Sequence, residues 1–422
     1  KYKNYKDSGI EWIGEIPCHW EIVPLKTLCS IFGRIGFRGY TAQDLVDEDK
    51  GAITLSPSNF REGGYLDYSK CSYLSWAKYY ESPEIMVENG DIVFVKTASV
   101  GKVALVKDLP KETTVNPQIV ILKQIKCDNK YLAYFLQTPS IGAQVNMSSI
   151  GSTIPTISQQ DMGKYDIILP PLAEQQAIAA YLDAKCGKVD ALVAALEQQA
   201  ADLGDLKKSE ISRVVTKGLQ PNATLKNSGI EWIGEIPCHW EIVPFKRLHS
   251  GTNVGEGIDK QYWTDNVNDM YFYTAGINPI HTCYPNFPSD KLTKTEDLLL
   301  ARNGTPYVYL PFINAAYTDH VIRVSISPKM DKKFVRHALT LSINNEEVDT
   351  VSLATWSASI WNAQKLPIPP LSEQQAIADY LDAYCAKVDA AVAEIKAQIA
   401  DLKSYKQSLI SEAVTGKICV TE

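Results

Sequence analysis

The sequence predicts an α+β fold. Two globular mixed α/β segments are separated by two long antiparallel coiled-coil helices, and the halves are related by a pseudo-twofold internal repeat. Three observations carry this. Residues 8–24 read SGIEWIGEIPCHWEIVP, and residues 228–244 repeat the same seventeen letters. Residues 170–218, opening PPLAEQQAIAAYLDAKCGKVDALVAALE and closing ISRVVTKG, recur at 369–417 as PPLSEQQAIADYLDAYCAKVDAAVAEIK and ISEAVTGK. The segments between, about 25–169 and 245–368, show no obvious similarity, so two repeated frames enclose two different inserts. A repeat on this scale fixes the architecture before any local motif is read. The boundaries that follow are 1–169 for the first globular segment with its N-terminal frame and 170–226 for the first helix. The second globular segment is 227–368, and the second helix is 369–422.

Each helical frame opens with Pro-Pro-Leu, a stop followed by strong helix formers. Leucine and its apolar equivalents then recur every seven residues. The first copy has Leu182, Val189, Leu196 and Leu203; the second has Leu381, Val388, Ile395, Leu402 and Leu409. That spacing gives one seam along a coiled coil. The companion row is expected at Ile178, Lys185, Leu192, Gln199 and Leu206, and is weaker. A solvated amphipathic helix on one globular body is the plainer alternative, disfavoured by length. A helix over 174–216 is about 65 Å long at 1.5 Å per residue. An antiparallel return would bring the termini together and place the inserts at opposite ends of a rod.

The inserts read as mixed α and β. Ile92–Val95 and 103–106 are short apolar runs joined by the turn at 96–102, a hairpin-like pair. The run 115–122 reads as a further strand and 131–137 as a short helix. In the second insert Asp297–Ala301 leads into Arg302-Asn-Gly-Thr-Pro306, and 320–326 alternates as a strand.

Composition bounds the function classes. With 45% apolar and 22% charged residues the chain has material for cores and is not a disordered sequence. No apolar run approaches the roughly 18 residues of a membrane span, and no signal-peptide pattern opens the chain. Lys1 in place of methionine predicts further residues upstream. Nine widely spaced cysteines without CxxC argue against a disulfide framework or a zinc site and favour a cytoplasmic location.

Catalytic motifs fail one by one. The turn at 96–103 misses the phosphate-loop pattern twice, at Lys96 and at Val103. Gly33, Gly36 and Gly39 are spaced GxxGxxG, not as a dinucleotide fingerprint. No Asn/Asp-Pro-Pro-aromatic run of an amino-methyltransferase is present, and no nuclease carboxylate cluster. Cys18-His19 and Cys238-His239 sit in Pro-Cys-His-Trp turns, where packing beside Trp20 and Trp240 is a better reading than zinc. The expectation is a non-catalytic chain that binds no metal.

Charge is distributed unevenly. The first insert carries 15 basic and 15 acidic residues and the second 12 of each, so the net −7 lies entirely in the repeated frame. Neutral inserts can each carry a local basic face. Any DNA held here needs positive charge from elsewhere to meet its phosphates.

SGIEWIGEIPCHWEIVP, PPLxEQQAIAxYLD and the VTKG/VTGK endings, in this doubled order, resemble the specificity (S) subunit of type I restriction-modification systems over essentially the whole chain. The resemblance implies that the inserts are target recognition domains, each reading one half of a split double-stranded DNA sequence. It implies that the helices form the spacer that sets half-site separation and docks two modification (methyltransferase) subunits. Those subunits would bind S-adenosylmethionine and methylate adenine at N6, while restriction/translocase subunits would add ATP- and Mg-dependent translocation and cleavage. This chain itself would be non-catalytic and would hold no cofactor. One departure concerns the inserts: the second lacks a clear counterpart of Gly151-Ser-Thr-Ile-Pro155 and offers Thr355-Trp-Ser-Ala-Ser359 instead.

Base readout needs donors and acceptors on turns that enter a groove, with Arg or Lys for guanine and Asn or Gln for adenine. In the first insert the glycine-punctuated loops offer Arg34, Arg38 and Tyr40; Lys96, Thr97, Ser99 and Lys102; and Ser148, Ser149, Ser152 and Thr153. In the second they offer Asn253 and Lys260; Arg302, Asn303, Thr305 and Tyr307; and Thr355, Trp356 and Ser357. Any one of these can equally be a solvated turn former. The turns at 96–102 and 302–307 are the strongest, since they occupy comparable strand–turn positions. For partner docking the candidates are Glu174, Gln175 and Gln176 with Glu373, Gln374 and Gln375, against simple packing within the chain. Two other classes stay open: a self-contained methyltransferase or nuclease, disfavoured by the missing motifs, and a coiled-coil scaffold joining two protein-binding modules.

Overall fold

The computed structural model describes residues 2–34, 39–148, 155–345 and 355–420. The chain divides into two units, Lys1–Glu197 with Lys396–Glu422, and Gln198–Ile395. Each unit holds one insert, one copy of the seventeen-residue segment and a stretch of each long helix.

In the first unit, Ile92–Val95 lies between Val103–Leu105 and Ile119–Lys123, and Ser30–Gly33 closes this antiparallel sheet. A second sheet runs in the order Thr113–Val115, Gly51–Leu55, Ser72–Ser75 and Leu45–Val46, its first pair parallel. Ile92 and Phe94 face a core shared with the helices, and Val93 and Val95 face a second core shared with the other sheet. A strand covered on both sides is continuously apolar instead of alternating, which is why IVFV reads as it does.

The second unit repeats the plan with other residues. Asp297–Ala301 lies between Val308–Tyr309 and Val321–Ile326, with His249–Val254 at the edge. Its second sheet runs Ala316–Tyr317, Met270–Tyr273, Ile280–Thr282, Trp263–Thr264, again with the first pair parallel. Leu298 and Leu300 face one core; Leu299 and Ala301 face the other. Two inserts without readable sequence similarity thus share one topology. Buried strands need only apolar side chains of suitable volume, so the pattern persists while the letters change.

One expected strand divides. Val115 ends a strand of one sheet, and Ile119–Lys123 belongs to the other. Pro117 between them has no N–H for a ladder, which breaks the run. The helix expected at 131–137 is Asn129–Leu136, N-capped by the Asp128 side chain.

The long helices span Leu172–Lys217 and Leu371–Val414. In each unit one tryptophan shows that their stretches run antiparallel. Trp20 bonds Glu174 near the start of the first helix and packs against Gly416 just past the end of the second. Trp240 bonds Glu373 near the start of the second helix and packs against Gly218 past the end of the first. The expected seam faces inwards: Leu182, Val189, Leu381, Val388, Ile395 and Leu409 are buried, and Leu196, Leu203 and Leu402 are half-buried. The companion row is not the expected one. Apart from the buried Ile178, the positions Lys185, Leu192, Gln199 and Leu206 turn outwards. The inward row is Ala179, Cys186, Val193, Ala200, Lys207 and Val214, matched by Ala378, Cys385, Val392, Ile399, Lys406 and Ala413. Within this row Lys207 pairs with Asp389 and Lys406 with Asp190, both at 2.7 Å.

All nine cysteines are free. Among the described residues, no helix is long and apolar enough to cross a membrane, and no group of three His, Cys, Asp or Glu side chains is placed to hold a metal.

Candidate nucleic-acid interface

The turns at 96–102 and 302–307 are structural equivalents. Lys96 N donates to Gln118 O at 2.8 Å, and Lys96 O accepts from Ile157 N at 2.9 Å. Arg302 N donates to His320 O at 2.8 Å, and Arg302 O accepts from Trp356 N at 2.6 Å. Thr97 bridges Thr156, and Asn303 bridges Thr355. A glycine with positive φ turns each loop, Gly101 at 91° and Gly304 at 77°. Thr355-Trp356-Ser357 therefore stands opposite Thr156-Ile157-Ser158, not opposite 151–155. Ser158 and Ser357 both cap the short helix that follows. The repeat of the helical frame, offset by 199, already begins at Thr156 and Thr355.

On these turns, Ser99, Lys102, Arg302, Thr305, Tyr307 and Thr355 are exposed, and Lys96, Thr97, Asn303 and Ser357 are half-buried. Burial lowers the Lys96 ammonium from its ordinary value. Lys102 Nζ reaches Pro57 O at 3.5 Å. Tyr307 rests its ring against Tyr309 at 4.7 Å. Asn303 Nδ2 donates to Nδ1 of the exposed His320 at 2.6 Å. Trp356 turns inwards, 3% exposed, against Trp361 at 5.5 Å, so its ring is core and not a surface reader.

The other expected residues scatter. Arg34 is 5% exposed, with Nε donating to Val115 O and Nη2 to Thr114 Oγ1. Its guanidinium lies over the Tyr40 ring and fixes the second sheet, and burial lowers its pKa. A surface guanidinium was expected here; the parallel strand's carbonyl draws it inside. Tyr40 OH meets Thr54 Oγ1 at 3.3 Å. Ser148 donates back to Gln144 O within its helix. Asn253 is exposed on its edge strand, and Lys260 is exposed with Nζ over the Trp263 ring. Arg38, Ser149, Ser152 and Thr153 lie outside the described residues. What the sequence did not single out is His320, which it placed only at the start of a strand. No sequence signal pointed to it: its equivalence to Gln118 of the first unit rests on the matching backbone bonds, Arg302 N to His320 O and Lys96 N to Gln118 O. Exposed Phe312, stacked on Tyr271 at 4.0 Å, was also missed.

The six expected docking residues sort by direction. Glu174 accepts from the Trp20 indole at 3.0 Å and from the Tyr2 hydroxyl at 2.9 Å, and meets His19 Nε2 at 2.7 Å. Burial opposes its charge, but these hydrogen bonds outweigh it and hold the carboxyl below its ordinary value. Glu373 repeats the contacts with Trp240 and His239. Gln175 donates to Pro170 O and accepts from Asp128 N, and Gln374 does the same with Pro369 O and Asp331 N. Gln175 and Gln374 are buried, 3% and 1% exposed, because each joins the helix start to the cap of the insert's own helix. Their side chains are consumed in locking the frame. Gln176 and Gln375 point outwards. His19 and His239, read above as packing residues, are the other half of this lock.

Comparison with known proteins finds one family in both halves of the chain. A family described as "Type I restriction modification DNA specificity domain" matches residues 18–199 and 255–401. The chain is similar to two proteins of Methanocaldococcus jannaschii. One is the provisionally named type I restriction enzyme MjaX specificity subunit, 26% identical over 100% of this chain and 98% of the relative. The other is the type I restriction enzyme MjaVIII specificity subunit, 25% identical over 100% and 97%. A solved chain, from work on complex assembly and conformational transition of the type I R-M system, superposes with a TM-score of 0.69 at 17% identity. That match covers 96% of this chain and 99% of the other.

Proposed function

This chain belongs to the family of type I restriction-modification specificity subunits, and from that premise we propose that it is the non-catalytic, sequence-reading subunit of such a complex. Each unit reads one half of a bipartite double-stranded DNA target. The long helices set the distance between the half-sites, and the repeated frame docks two modification subunits. S-adenosylmethionine belongs to those subunits, and ATP and Mg to restriction/translocase subunits, all in the cytoplasm.

One observation carries the reading. The two inserts share a topology and present different side chains from the same turn, Lys96-Thr97 in one and Arg302-Asn303 in the other, beside a seventeen-residue segment that repeats letter for letter and a helical frame that repeats closely. A shared scaffold with exchanged tips is what reading two different half-sites from two copies of one partner requires. The neutral inserts fit a clamp whose positive charge comes largely from the partner.

The test is single-molecule sequencing of genomic DNA from cells carrying the chain with its modification partner, and from cells lacking only this chain. A split N6-methyladenine motif that vanishes with the chain is the expected result. No chain-dependent methylation, with a demonstrably active partner, would favour a scaffold joining two protein-binding modules.

A further inference from the structure

We propose that Asn303, positioned by His320, reads the adenine of an A·T pair in the half-site taken by the second unit; this rests on the DNA-reading role proposed above. Asn303 Nδ2 donates to His320 Nδ1 at 2.6 Å. An amide nitrogen only donates, so this contact requires the ring Nδ1 to accept. The amide plane is thereby fixed with one N–H used. The second N–H and Oδ1 remain side by side, a donor next to an acceptor. Adenine shows the complement in the major groove, N7 as acceptor and the N6 amino group as donor. Guanine shows two acceptors there, which Oδ1 would oppose.

The backbone is held on both sides of the side chain by Arg302 N to His320 O, by Trp356 N to Arg302 O, and by the Asn303–Thr355 bridge. Asp319, next to His320, accepts from Thr318 Oγ1 at 2.7 Å. Arg302 is exposed on the same turn. The first unit has Thr97 and Gln118 at these two places, so the oriented amide distinguishes the second unit from the first.

The experiment uses the complete complex with its modification subunits. Motifs are sequenced in cells, and methyl transfer is measured on duplexes carrying each base at each half-site position. Asn303→Ala should relax one A·T position, on the order of ten- to a hundred-fold, and leave the other half-site unchanged. Asn303→Asp, which only accepts, should disfavour adenine there and admit cytosine, whose N4 amino group donates. His320→Leu should relax the same position, while His320→Gln, which keeps an acceptor, should preserve it. That rescue separates positioning from a merely structural role. Unchanged base preference in both Asn303 variants overturns the inference, as does relaxation spread over both half-sites. Loss of all methylation in both variants with His320→Leu unaffected overturns it too, since Asn303 would then only support the fold. A wild-type complex without any split motif removes the premise itself, and the inference with it.

Discussion

The internal repeat makes single residues informative, because each has a natural substitution at the matching place. Tyr134 donates to Asp183 Oδ1 at 2.8 Å in the first unit. In the second unit the matching residue is His337, whose Nε2 lies 3.0 Å from Asp382 Oδ1 and 2.9 Å from Arg336 Nη2. Burial lowers the His337 pKa, Arg336 lowers it further, and Asp382 only partly offsets them. A histidine depressed in the folded state stays neutral there while the unfolded chain takes up a proton below about 6.5. The second unit should therefore keep its full stability above that pH and lose it progressively as pH falls below it. His337→Tyr should flatten this dependence, as the tyrosine offers Asp382 a hydroxyl that does not titrate there. Thermal unfolding from pH 5 to 8 reads the outcome, and curves of equal slope for both proteins would refute it. At this scale the sequence was only partly legible. Glu174, Gln175 and their repeats were visible as a motif, yet their role was not. A carboxylate that accepts from an indole 154 positions away leaves no local trace.

Between residues and molecule stand the long helices, whose existence and seam were legible because a seven-residue apolar repeat matches the turn of a supercoiled helix and no strand period. The second inward row was not. It contains Lys207 and Lys406, which a hydrophobicity reading discards, although their stems lie in the seam and their ammonium groups reach Asp389 and Asp190. The inserts were legible as strands but not as one shared topology, because two-sided burial erases the alternation that would align them. The first helix also carries two interior glycines, Gly187 and Gly204, where the second copy has Ala386 and Lys403. A Cβ added at either glycine meets nothing within 4 Å. Gly187→Ala and Gly204→Ala should each stabilise the protein by roughly 0.5–1 kcal/mol, since glycine costs about that much against alanine inside a helix. Denaturant melts check this; a neutral or negative change would mean that those positions serve a partner and not the helix.

For the whole molecule the decisive quantity is the length of the helices, if they set the distance between half-sites as proposed. Each residue added to a helix extends it by about 1.5 Å, and each base pair advances DNA by about 3.4 Å. Seven residues inserted into both helices preserve the heptad phase, so every inward row stays inward and the Lys–Asp pairs can re-form. The added length is about 10.5 Å, or roughly three base pairs. The methylated motif should then keep both half-site sequences and lengthen its spacer by that amount. Five residues in each helix add about 7.5 Å, roughly two base pairs, but rotate the seam away from its partner, exposing the leucine row. That variant should lose stability and methylation together instead of moving the spacer. Sequencing the methylated motif in cells carrying each variant distinguishes the cases. A seven-residue variant that methylates the original motif would show that the helices hold the frame together without measuring the DNA.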